Sequence, residues 1–127
     1  MLSLLVVDDE IIIADGLYLM LQETFQDQLI VRRCYSFHEA RSIMETVRVD
    51  ILMTDIEMPD VSGLVLHDWV RNRWPMVRVI YLTGYSDFEY ARQALQQNAL
   101  AYVLKSEGDP VIVSAVEKAI DSIREEN

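Results

Sequence analysis

The sequence predicts an open, doubly wound α/β domain built on a parallel sheet. Three observations carry that reading. Short runs that are apolar on both faces alternate with longer amphipathic runs, five times in strict order. Apolar character on both faces of a strand is what a sheet covered by helices on both sides requires. The chain has 127 residues, 51% of them apolar, which suits one domain with a sizeable core. A closed parallel barrel would need eight strand-helix units, so an open sheet with right-handed crossovers is expected.

The elements follow in order. Leu2 to Val7 reads as a buried strand. Glu10 to Phe25 reads as a helix with Ile13, Leu17, Met20 and Leu21 on one stripe. Leu29 to Cys34 is the second strand. Ser36, with Glu39 three residues on, forms a capping-box pattern that starts the next helix. That helix turns Ala40, Ile43, Met44 and Val47 inward. Val49 to Thr54 is the third strand, and a loop at Pro59 to Gly63 follows it. A helix from about Leu64 to Trp74 is stopped by Pro75. Val77 to Leu82 is the fourth strand. Ser86 or Asp87 caps a helix running to about Asn98, and Leu100 to Leu104 is the fifth strand. Asp109-Pro110 opens the last helix as an N-cap followed by proline, with Val113, Val116, Ile120 and Ile123 as its buried stripe.

Charge and cysteine content narrow the function classes. A net charge of -10 repels phosphate backbones, so direct nucleic-acid binding by this segment is not expected. Cys34 is the sole cysteine, so an internal disulfide is excluded, and its apolar surroundings make it a core residue suited to a reducing cytoplasm. No apolar run is long enough to span a membrane, and Met1 does not open a signal peptide.

In an open parallel sheet, ligands bind beyond the carboxyl ends of the strands. The residues at those ends here are Asp8, Asp9 and Glu10, then Asp55, Thr83 and Lys105. An aspartate after a strand is commonly a turn residue, and a lone lysine is commonly solvated. Their joint placement is what points to chemistry. Clustered carboxylates repel one another and should raise at least one pKa. A hard cation relieves this, and an all-oxygen set without histidine favours Mg2+ or Mn2+ over zinc. An aspartate beside such a cation can attack phosphorus and form an aspartyl phosphate. Lys105, the Thr83 hydroxyl and backbone N–H groups are suited to the phosphoryl oxygens.

These residues resemble bacterial two-component response-regulator receiver domains over essentially the whole chain. The matching stretches are Val6-Val7-Asp8-Asp9-Glu10, Asp55-Ile56-Glu57-Met58-Pro59 with Gly63, Leu82-Thr83-Gly84 and Tyr102-Val103-Leu104-Lys105. The resemblance implies a flavodoxin-like sheet of strand order 2-1-3-4-5, the order of the family's chemotaxis member. It also implies that Asp55 is the phosphoacceptor, and that Asp9 and Asp8 bind the metal with Asp55 and the Glu57 backbone carbonyl. Thr83 and Lys105 would bind the phosphoryl group, and Thr83 and Tyr102 would form the switch. The implied donor is a sensor histidine kinase. The implied dimer face is helix four, strand five and helix five. Such a domain catalyses only its own phosphorylation and dephosphorylation.

Leu82 to Ala91 further resembles receivers joined to a helix-turn-helix output of the arabinose-regulator type. Residues 1–127 contain no such output, so the segment is expected to be excised from a longer DNA-binding regulator or to stand alone. One departure from the family is Ser106, where a proline joined by a cis bond is usual. A cis bond before serine costs ~2.5–4 kcal/mol, so this loop is either trans or strained. Another is Glu57, a variable position that adds negative charge near an incoming phosphoryl group.

Outside the acidic edge the expectations are structural. Trp74 packs at its helix end, and Trp69 lies off the apolar stripe as an exposed residue. His38 and His67 are surface or boundary residues. Phe88 and Tyr90 belong to the core or to the dimer face. Three other functions compete. A phosphohydrolase would carry a second aspartate where Glu57 stands, and a cap. A flavodoxin would need a hydroxyl-rich loop in place of Asp8-Asp9-Glu10. A degenerate receiver would work without phosphorylation.

Overall fold

The computed structural model describes residues 1–84 and 88–126. The caps expected at Ser86 and Asp87, and the side chains of Phe88 and Tyr90, lie outside the described residues. The elements alternate as expected. They are β1 (Leu2–Val7), α1 (Ile11–Thr24), β2 (Leu29–Cys34), α2 (Phe37–Thr46), β3 (Ile51–Thr54), α3 (Gly63–Arg73), β4 (Arg78–Thr83), α4 (Phe88–Gln96), β5 (Ala101–Leu104) and α5 (Asp109–Glu126). All strand pairs are parallel, in the order β2-β1-β3-β4-β5.

The period-two alternation of the central strands divides the interior into two cores. Leu4 and Val6 of β1, with Ile80 and Leu82 of β4, face α1 and α5, where Leu17, Leu21, Val116 and Ile120 meet them. Leu5 and Val7, with Val79 and Tyr81, face α2, α3 and α4, where Ala40, Met44, Leu66, Val70 and Ala94 meet them. Cys34 lies in this second core at 1% exposure, as expected.

Local chemistry explains the boundaries. The Ser36 Oγ accepts from the Glu39 N–H at 3.2 Å and starts α2. Trp74 closes α3 at φ -133° and ψ 75°, outside the helical region, because Pro75 follows. Asn98 adopts φ 62° after α4, and the Ala99 N–H reaches back to the Ala94 carbonyl at 3.0 Å, a left-handed helix end. The third strand starts at Ile51, two residues later than expected, because the Asp50 carboxylate accepts from the Ser3 N–H at 2.8 Å.

Three sequence expectations need correction. His67 is no surface residue: it is 3% exposed, because its Nδ1 pairs with the Tyr81 hydroxyl at 2.6 Å. Trp69 is half-buried, because Phe37 and Trp74 pack on it edge-on and Arg73 covers its ring at 4.6 Å. The inner stripe of α1 is Ala14, Leu17 and Leu21, with Ile13 and Met20 at its margin.

Candidate functional site

The register Val7↔Thr54 brings Asp8 and Asp55 level at the carboxyl end of the sheet. Both are buried, at 1% and 6% exposure, and Asp9 is half-buried beside them. Asp8, Asp9 and Asp55 each present one carboxylate oxygen within 4.8 Å of the others. Two backbone donors orient the set. The Ile56 N–H donates to Asp55 Oδ1 at 2.8 Å, and the Glu10 N–H donates to Asp8 Oδ1 at 2.9 Å. Below Asp55 the chain turns back on itself at Gly63. Its N–H donates to the Ile56 carbonyl at 2.7 Å, and a Cβ there would lie 1.9 Å from the Asp55 carbonyl oxygen. Only glycine permits that approach.

Lys105 completes the group. No cis peptide bond occurs among the described residues, so the Lys105–Ser106 bond is trans. The chain leaves β5 through a single 3₁₀ turn, Lys105–Glu107, in which the Glu107 carboxylate accepts from the Leu104 N–H at 3.1 Å. Gly108 then takes φ 89°, which favours glycine, and leads into α5. This path delivers the Lys105 Nζ to 3.2 Å from Asp55 Oδ2, 2.9 Å from Asp8 Oδ2 and 2.5 Å from Glu10 Oε2. The lysine therefore reaches the acidic cluster without the family's proline.

The electrostatics follow from burial. Desolvation raises the Asp8 and Asp55 carboxyls above their ordinary range, and the Asp8 charge raises Asp55 further. Lys105 works against both shifts without cancelling them. Burial disfavours its ammonium as well, but Glu10, Asp8 and Asp55 outweigh that and hold its pKa above the usual lysine value. One ammonium among four formal carboxylates leaves three negative charges. An excess of that size, offered entirely through oxygen with Asp8 and Asp55 buried, fits a hard divalent cation. Asp8, Asp9 and Asp55 are the side chains that would hold it.

Thr83 ends β4 fully buried, and Tyr102 of β5 is half-buried with its ring 6.4 Å from that of Tyr81. The Glu57 side chain is exposed on the loop after β3. Two features of this region escaped the sequence reading. The Lys105–Glu10 pair joins residues 95 apart, and no local pattern announces it. The His67–Tyr81 pair was masked because each residue lies singly in an apolar stretch.

A five-stranded parallel sheet with helices on both faces and acids at its switch edge defines a receiver-type domain. The chain belongs to the response regulator receiver domain family, whose model matches residues 4–117. It is 30% identical over 127 residues to the uncharacterized transcriptional regulatory protein YesN of Bacillus subtilis, covering 100% of this chain and 34% of that protein. It is 34% identical over 128 residues to the transcriptional regulatory protein BtsR of Shigella flexneri, covering 99% of this chain and 49% of that protein. The chain thus spans a third to a half of the length of these relatives. Among solved structures, a receiver domain protein from Clostridium thermocellum superposes with a TM-score of 0.88 at 27% identity, covering 100% of both chains. The response regulator TrrA of Thermotoga maritima, in complex with Mg2+ and BeF, superposes with a TM-score of 0.78 at 28% identity, covering 94% of this chain and 99% of that one. Among the described residues, no helix is long and apolar enough to cross a membrane.

Proposed function

We propose that this chain is a phosphorylation-dependent switch in which Asp55 accepts a phosphoryl group from a sensor histidine kinase. The observation that carries the reading is the convergence of Asp55, Asp8 and Asp9 with Lys105 on one edge of the sheet. The Ile56 N–H holds Asp55 Oδ1, which leaves Oδ2 as the attacking oxygen. A bond forms from Oδ2 to phosphorus as the phosphorus–nitrogen bond to the kinase histidine breaks, and the electron pair leaves with the imidazole. Mg2+ (or Mn2+), when bound by Asp8, Asp9, Asp55 and the Glu57 backbone carbonyl, would neutralise phosphoryl charge. Lys105, 3.2 Å from Asp55 Oδ2, needs only a short shift to meet a phosphoryl oxygen. The Thr83 hydroxyl would bind another, and Tyr102 would turn inward behind it.

The same reading assigns residues 1–127 to the receiver part of a longer DNA-binding regulator that works in a reducing cytoplasm. The relatives matched are transcriptional regulators two to three times its length. The output would be a helix-turn-helix unit of the arabinose-regulator type, and the face of α4, β5 and α5 would pair two copies. The receiver itself, at net charge -10, would not touch DNA.

Treatment with acetyl phosphate and Mg2+ tests this. A mass gain of one phosphoryl group on the wild type, absent from Asp55→Asn, supports the switch. A wild type that gains nothing overturns it.

A further inference from the structure

On the α3–α4 side of the sheet, a buried polar pair lies beneath the site and takes no part in the chemistry above. His67 of α3 is 3% exposed and Tyr81 of β4 is 0% exposed. The His67 Nδ1 is 2.6 Å from the Tyr81 hydroxyl, which donates in turn to the Gln97 Oε1 at 3.4 Å. Gln97 sits at the left-handed end of α4, where its own N–H bonds the Gln93 carbonyl at 3.1 Å. The Tyr81 ring also lies 5.4 Å from the His67 ring and 6.4 Å from the ring of Tyr102, its register partner on β5.

A hydroxyl carries one hydrogen. If Tyr81 gives that hydrogen to Gln97, the bond at 2.6 Å requires His67 to carry its own hydrogen on Nδ1. Burial keeps the ring neutral, pulling the His67 pKa down to about 4, so the ring carries a single hydrogen, which this bond places on Nδ1. With that tautomer the chain is directed, His67 to Tyr81 to Gln97, and it crosses from α3 through β4 to α4. Phenylalanine would fill the Tyr81 site equally well, so packing alone does not ask for the hydroxyl. A polar chain buried at His67 and Tyr81 and half-buried at Gln97 is best satisfied at one spacing of its elements.

We propose that the Tyr81 hydroxyl is a positioning group that sets the distance of the α4 end from α3, and that the Tyr81 ring makes this distance answer to Tyr102. The link to Tyr102 rests on the phosphorylation reading above. Packed interiors do not compress. A Tyr102 ring that turns inward must therefore displace the ring beside it. The longer bond, Tyr81 to Gln97, breaks first and frees the last turn of α4.

The experiment is NMR on the full chain, comparing the wild type with Tyr81→Phe, each with and without beryllofluoride and Mg2+. In the free wild type, the His67 ring nitrogens report hydrogen on Nδ1. In free Tyr81→Phe, amide exchange at Gln97 and Ala99 rises about fivefold. Unchanged exchange there overturns the positioning role. Should Tyr81→Phe fail to fold, Gln97→Leu removes the acceptor alone and is expected to give the same exchange. On adding beryllofluoride and Mg2+, the Ile56 amide shifts because it bonds Asp55, and the His67 ring shifts with it. An Ile56 shift with a silent His67 overturns the link to Tyr102. No Ile56 shift in the wild type sinks the phosphorylation reading and that link with it, while the exchange comparison still judges the positioning role.

Discussion

Replacing Gly63 with alanine sets two effects of opposite sign against each other. Gly63 opens α3 and its backbone is not left-handed, so nothing in its torsion angles forbids a side chain. Helix propensity alone would then favour alanine by up to ~1 kcal/mol. The surroundings oppose this. A Cβ at position 63 would lie 1.9 Å from the Asp55 carbonyl oxygen, 2.9 Å from its carbon and 3.1 Å from the Ile56 Cα. All three are backbone atoms, so no rotamer change relieves the clash. Overpacking of this kind costs about 1–3 kcal/mol, and losing the bond from Gly63 to the Ile56 carbonyl costs about 0.5–1.5 kcal/mol more. The net expectation is a loss of about 0.5–4.5 kcal/mol, centred on about 2–3 kcal/mol. For a chain of this size that lowers Tm by roughly 6–15 °C. Urea denaturation and thermal melting of Gly63→Ala measure it. A Tm within about 2 °C of the wild type, or above it, would show that the loop yields and that glycine is not required there. Because the clash falls on the Asp55 backbone, phosphoryl uptake should fall even in the folded fraction.

Other perturbations are expected to read the same structure. Mg2+ should raise Tm of the wild type, by about 2.7 kcal/mol of added stability at a hundredfold excess over Kd, and Asp8→Asn should blunt the gain; a wild type whose melting ignores Mg2+ contradicts the site. His67 is held to about 4 when folded against an ordinary 6.5, so the unfolded chain takes up its proton first as pH falls. Stability should therefore drop between those two values, by at most about 3 kcal/mol, and denaturation of His67→Gln across that range should show a flatter profile. Asp8 and Asp55 act in the opposite sense, since their raised folded-state pKa values make the native state the better proton binder above the ordinary carboxylate range. The Cys34 thiol, buried and pushed up to about 12, should resist alkylation until the chain unfolds, which native-state labelling at mild alkaline pH will check.

How much of this was legible in the sequence can be traced residue by residue. The central strand runs showed themselves because a doubly covered sheet needs apolar residues at every position, as in Leu4 to Val7, whereas the edge strand β2 exposes Ile30 and carries Arg32 and Arg33. The Ser36 cap and the Pro75 stop were readable because their causes act within four residues. The start of β3 is not legible locally, because the bond that claims Asp50 comes from Ser3, 47 residues away.

The acidic edge was also visible, since parallel topology carries the residue after every strand to the same side. Asp8, Asp9, Asp55, Thr83 and Lys105 could thus be grouped from their positions alone. Tertiary structure alone decided how they meet. It turned Lys105 toward three carboxylates through a trans bond and Gly108, and it pressed Gly63 against the Asp55 backbone. It also buried His67 against Tyr81, contrary to the surface position that its sequence neighbours suggested. The physical reason is range. Periodicity, caps and turns arise from neighbours along the chain, whereas burial and charge pairing arise from neighbours in space, which the chain acquires only by folding.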